Sequence, residues 1–183
     1  MKNAFQLMGI EPVLVIPDEA ARDLFREAGK QAHPDAGGGE GEFAALREAH
    51  AIIASPSRRL KYWLEIHGVA TDPRGTIDHT MMDLFSEVGA VTQQAESLIR
   101  KRDEAKSALV RAMLENETQR CREQVEQAIS AVDERIEREC AVFPDFEKQA
   151  AAVDAGAASL TARNLAFLEK WRAALRAVFS RLV

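Results

Sequence analysis

Aromatic residues are scarce in this chain, at 6% of 183 residues with a single tyrosine. Runs of β-branched residues are also few, while Ala, Leu, Glu, Arg and Gln dominate, so the composition favours helix over sheet. No apolar stretch approaches the roughly 20 residues that a membrane span needs. The first residues lack the apolar core and cleavage site of a secretory signal, so a cytoplasmic protein without a membrane partner is expected. A positive excess is missing as well. The chain has 24 Lys and Arg against 29 Asp and Glu, a formal charge of −5, whereas gripping a phosphate backbone calls for a basic face. Nucleic acid is therefore excluded as a primary partner.

The two cysteines, Cys121 and Cys140, lie 19 residues apart on one helical pattern. That spacing puts them about 28 Å apart along the axis, far beyond the ~7 Å Cα limit of a disulfide. Both belong to the apolar stripe Cys121, Val125, Ile129, Val132, Ile136, Cys140, and read as buried thiols acting as small hydrophobes. Neither cysteines nor histidines show metal-ligand spacing. The glycine-rich stretch lacks the Lys-Ser/Thr of a phosphate loop. No cofactor, metal or catalytic constellation is expected, and the chain reads as a non-enzyme.

What is present is helical patterning. A short helix around Phe5, Leu7 and Met8 ends at Gly9. The stretch "IEPVLVIPD" reads as a buried loop, because Pro12 and Pro17 oppose helix and no second strand stands nearby to pair with it. Asp18 is a good N-cap for "EAARDLFREAGKQA", whose apolar face is Ala21, Leu24, Phe25 and Ala28. Arg22, Arg26 and Lys30 recur at i, i+4, i+8 on another face. "EFAALREAHAIIA" repeats the pattern through Phe43, Leu46, His50 and Ile53, with His50 expected to pack between helices. Ser55-Pro56 then caps a fourth helix that ends at Gly68, with His67 favoured by that helix's C-terminus. "VATDPRGT", 69–76, has the Asp, Pro and Gly of a linker.

Beyond the linker, one helix is expected from about Asp78 to Arg102, with Met81, Leu84, Phe85, Val88, Val91, Ala95 and Leu98 inward. A second is expected from about Asp103 to Ala141, stopped near Pro144. Residues 145–157 show weak periodicity and stay unassigned. The last helix is placed from Ser159 or Thr161, with the near-heptad seam Leu165, Leu168, Leu175, Val178 and Leu182. Long helices with short connections suggest an antiparallel three-helix bundle.

One segment is not explained by packing. In "QAHPDAGGGEG", 31–41, Pro34 biases His33 out of the α region, so the preceding helix should stop there. The glycines that follow mark a segment not built for packing. Structure alone does not ask for His33, Pro34 and Asp35 side by side on such a loop.

Four short helices with His-Pro-Asp between the second and third resemble the J-domain, the DnaJ-type module. The basic stripe before the tripeptide and the pattern "F..L..AH.I...P..R..YWL" after it, Phe43 to Leu64, strengthen the resemblance. "YWLEIHG" and "NLAFLEKWRAALRAVFSRL" are similar to the fourth-helix ending and the last helix of HscB-type co-chaperones, and "MMDLFSEV" is a weakened form of their segment after the linker. The resemblance implies an all-α chain with a four-helix J-domain at 1–68, a linker at 69–76 and a helical client-binding domain at 77–183. It further implies a co-chaperone that stimulates a seventy-kilodalton heat-shock ATPase of the DnaK/HscA class and delivers to it an iron–sulfur scaffold protein. In that reading His33, Pro34 and Asp35 dock on the ATPase, and Arg22, Arg26 and Lys30 steer towards its acidic surface. Met81, Met82, Phe85 and Phe167 are expected to form an exposed apolar client patch, which shrinks to Met82 and Phe167 if Phe85 belongs wholly to the core.

The chain departs from the family pattern in places. Ala32 stands where a bulky aromatic commonly precedes the His, and Ala36 where a basic residue commonly follows the Asp. Glu27 takes the place of a further cation. The run of glutamates typical of 81–97 is missing, and so is the amino-terminal cysteine module of some eukaryotic relatives. The Arg22–Lys30 stripe also sits beside Glu19, Asp23 and Glu27, as a merely solvated face would. Phe167 lies about 100° round from Leu168, so it either packs on the first bundle helix or faces a client. An adaptor with a decayed J-domain is the alternative function.

Overall fold

Asn3 starts the first helix. Its side chain accepts from the Gln6 amide at 2.9 Å while Gln6 Oε1 accepts from the Asn3 amide at 3.0 Å, a reciprocal cap for α1 (Ala4–Leu7). The chain leaves through Gly9, whose φ of +73° a side chain would disfavour. The computed structural model describes residues 2–32, 40–72 and 74–183. The tripeptide His33-Pro34-Asp35 lies outside these described residues.

Among them every regular element is helical. After α1 come α2 (Asp18–Ala32), α3 (Glu40–Ile53), α4 (Pro56–Ile66), α5 (Met82–Glu104), α6 (Ala108–Cys140), α7 (Phe143–Gln149) and α8 (Ala155–Leu182). Short 3-10 turns precede α5, at His79–Met81, and follow α7, at Ala150–Ala152. Two compact units result: Met1–Thr76 with Glu139–Ala166, and Ile77–Arg138 with Phe167–Val183. This line differs from the chain-order division at 68 and 76, because residues 139–166 cluster with the amino-terminal helices.

In the first unit α3 is the hub, with α1, α2 and α4 packed on it. The Phe25 ring meets His50 at 4.5 Å and Phe43 at 6.5 Å between centroids, so His50 does pack between α2 and α3. Ser55 Oγ accepts from the Arg58 amide with Pro56 at the first helical position, as the sequence leads one to expect. Gly68 takes φ +71° just beyond the helix, and the His67 ring lies 2.8 Å from the Trp63 carbonyl through Nδ1. The loop before α2 is only partly buried: Leu14 is sealed, while Val15 is exposed. Two groups pin it, the Trp63 indole donating to the Pro12 carbonyl at 3.1 Å and the Glu147 carboxylate accepting from the Leu14 and Val15 amides.

Three boundaries need correction. Asp18 is the first residue of α2 rather than its cap, since the Ala21 amide already bonds to the Pro17 carbonyl. Pro144 does not simply stop α6. It occupies the first turn of α7, where its missing N–H has no helical partner to lose, and Phe143 and Phe146 of that helix are buried. The last helix starts at Ala155, earlier than Ser159, because the Asp154 carboxylate accepts from the Gly156 and Ala157 amides and caps it. Residues 145–157 are thus two ordered helix ends around one turn.

In the second unit α5, Ala108–Arg138 of α6 and Phe167–Leu182 of α8 form the three-helix bundle. Val88, Ala95, Leu98, Cys121, Val125, Val132, Leu168, Leu175 and Leu182 fill it as expected, whereas Phe85, expected inward, is half exposed. The break between α5 and α6 falls at Ala105–Ser107, and Ser107 Oγ accepts from the Val110 amide. Neither cysteine is in a disulfide. Cys121 is buried, and burial pushes its thiol pKa up.

Candidate functional site

Two surfaces, one on each unit, hold the residues singled out from the sequence. On the first, Arg22, Arg26 and Lys30 all face solvent along α2. Arg26 pairs with Asp23 at 3.0 Å and Lys30 with Glu27 at 2.5 Å. All four side chains are more than half exposed, so each pair contributes no more than about 1 kcal/mol and yields readily to a stronger anion. The stripe therefore presents mobile cations that carry local counter-charges. It leads directly to the position of His33, Pro34 and Asp35, which are not among the described residues.

On the second unit, Met82 and Phe85 stand three residues apart on α5, one helical turn, and are 50% and 49% exposed. Phe167 on α8 is 41% exposed. Between the two phenylalanines lies Trp171, itself only 8% exposed, with ring centroids 5.5 Å from Phe85 and 6.2 Å from Phe167. The tilted rings are in the range of favourable aromatic pairing. The exposed aromatics thus rest on a buried indole and form one apolar face.

Met81 does not belong to that face. It is fully buried under the 3-10 turn, so the expected four-residue patch loses it. The reason is geometric: Asp78 caps the turn through the Thr80 amide at 2.8 Å, and the tighter winding sends Met81 inward and leaves Met82 outside. Trp171 is the residue that sequence reasoning missed. Its position four after Phe167 and three after Leu168 was the available signal, since those offsets put it between the core seam and the off-seam aromatic.

Charge plays a minor part at the start of α5. The Thr80 amide and hydroxyl, and then His79 and Arg135, hold the Asp78 carboxyl below the usual carboxylate range. Among the described residues no group of His, Cys, Asp and Glu is placed to hold a metal ion. No helix among them is long and apolar enough to cross a membrane.

No protein-family model matches the chain. Over 45 residues it is 42% identical to the tetratricopeptide repeat and J domain-containing co-chaperone DNJ1 of Cryptococcus neoformans, a match covering 25% of this chain and 9% of that protein. The chain therefore spans a small fraction of that relative. Among solved structures, the chaperone HscB from Vibrio cholerae superposes with a TM-score of 0.59 at 20% identity, covering 100% of both chains. From the first helices to the last, the chain has the HscB fold: an N-terminal four-helix J-domain arrangement followed by a three-helix bundle.

Proposed function

We propose that this protein is a cytoplasmic J-domain co-chaperone that engages a DnaK/HscA-class heat-shock ATPase and delivers a client to it. The observation that carries the reading is the full-length likeness to HscB, together with a His-Pro-Asp tripeptide between α2 and α3. In this reading His33, Pro34 and Asp35 contact the ATPase and stimulate its hydrolysis, and this chain itself catalyses nothing. Arg22, Arg26 and Lys30 raise the encounter rate with an acidic partner surface. The client, an iron–sulfur scaffold protein, rests on Met82, Phe85 and Phe167, and the four-helix module, linker and client-binding region follow in chain order. Single-turnover ATP hydrolysis by the chaperone, with wild type or His33→Gln added, tests the first half. Stimulation is expected from wild type alone; equal stimulation by both would refute it.

A second reading has one observation in its favour. Arg26 and Lys30 are each paired within α2, as on a plain solvated face. In that reading the chain is an adaptor that has lost ATPase stimulation, and wild type leaves hydrolysis at its basal rate while still binding a client.

A further inference from the structure

Residues 69–76 have the composition of a loose connection, yet Asp72, Arg74 and Gly75 are closely held. The Asp72 amide donates to Ser159 Oγ at 3.1 Å. Arg163 Nη1 donates to two carbonyls, those of Asp72 at 2.7 Å and Arg74 at 3.0 Å. Asp72 closes the turn from within, its Oδ1 accepting from the Arg74 amide at 2.8 Å. Gly75 then passes against the guanidinium with φ +132°, and a Cβ there would stand 3.0 Å from Arg163 Cζ. Only glycine combines that backbone angle with so close an approach.

Ser159 and Arg163 are four residues apart on α8, so one face of one helix supplies both contacts. Every bond in the set goes to main chain of the segment. Such bonds fix a path whatever side chains the segment carries, and they remove main-chain groups from water and from proteases. Ser159 is buried, and so is the Nε atom of Arg163. The helix side of the contact is thus anchored in packed structure, while the two carbonyls that Arg163 holds lie at the surface.

We infer that Ser159 and Arg163 form a latch that holds the described residues of this connection, 69–72 and 74–76, as a fixed strap rather than a flexible linker, with Arg163 as its positioning residue. The strap has an open state in which the three bonds are released, and the latch sets how often it is visited. The Arg74 carbonyl that Arg163 holds belongs to the Arg74–Gly75 peptide bond, which trypsin cuts when it is accessible. The latch is therefore read directly by proteolysis, and the reading does not depend on the co-chaperone proposal.

The test is limited trypsin digestion of the full chain, following the Arg74–Gly75 cut by mass spectrometry, beside thermal unfolding. Arg163→Gln is expected to speed that cut by at least about tenfold, with other tryptic sites and the unfolding midpoint little changed. Arg163→Lys, which keeps the charge but lacks the fork, is expected to fall between the two. In a separate measurement, Ser159→Ala should accelerate hydrogen exchange at the Asp72 amide, and this arm stands even if Arg163→Gln folds poorly. Equal cutting of wild type and Arg163→Gln, or unchanged exchange at Asp72, would overturn the latch. So would a cut that speeds up only in step with every other site, since that reports global opening.

Discussion

Replacing Phe167 by alanine separates a packing residue from a docking residue. The ring is 41% exposed, so about three-fifths of it is covered, chiefly beside Trp171. A phenylalanine in a core covers about 150–200 Å², which makes the covered share here roughly 100 Å². At about 25 cal/mol per Å² this corresponds to roughly 2 kcal/mol, an upper value because the unfolded chain already shields part of that area. Water fills the space that alanine leaves at a surface, so no cavity penalty of the kind seen in cores is added. A loss of about 1–2 kcal/mol in stability follows, or about 3–6 °C in the midpoint for a chain of this size. The buried Trp171, by contrast, should cost about 3–5 kcal/mol on replacement by alanine. If Phe167 contacts the client, scaffold-protein affinity measured by calorimetry should fall about 5–30-fold, worth about 1–2 kcal/mol. That loss should change little with salt, because the contact is apolar. A midpoint drop as large as that of Trp171→Ala, or wild-type affinity in the folded variant, would refute the assignment.

Reversing charge at Arg26 (Arg26→Glu) should slow association with the heat-shock ATPase in stopped-flow measurements, and 0.5 M salt should shrink the difference as exposed charges are screened; a salt-independent defect would point to a local structural effect. Gly75→Ala should destabilise by about 1–2 kcal/mol, because the residue must hold a positive φ against the Arg163 guanidinium, and thermal unfolding reads this directly. Asp78, whose carboxyl is held below the usual range, contributes stability present above its unfolded pKa and lost as the pH falls through the folded one. The stability gap between wild type and Asp78→Ala should accordingly shrink below about pH 4, and a gap constant with pH would exclude the carboxylate.

The helical framework was legible because it rests on short-range chemistry. Ser55-Pro56, Gly68 and the seam from Leu165 to Leu182 each carry their signal within one or two turns. What sequence reasoning missed either lacks a periodic signal nearby or depends on residues far apart in the chain. Asp154 gives no cap signal in the sequence, because Ala155-Gly156-Ala157-Ala158 has no apolar period to announce a helix. Met81 looked like a neighbour of Met82 and Phe85 in one patch, and only the 3-10 turn at His79–Met81 separates them. The Trp171 cushion needs α5 and α8 brought side by side. The latch is further still from view, since Asp72 and Arg163 lie 91 residues apart and neither belongs to a motif.

The discontinuity of the first unit also has a consequence for how the chain is made. Its four amino-terminal helices emerge early, but Glu147, which holds the loop before α2, and Arg163, which holds the strap, come much later. Thr76 and Ala166, the ends of its first and last portions, are about 90 residues apart, and at roughly 5–20 residues per second a ribosome needs about 5–18 s to cover that distance. For most of that interval the buried Arg59 lacks the Phe143 ring that its guanidinium lies over. The intervening residues, Ile77–Arg138, are themselves short of Leu168, Leu175 and Leu182 until the last helix appears. Both units therefore reach completion almost together, once the last helix has emerged, and until then the nascent chain exposes apolar surface that other chaperones can bind.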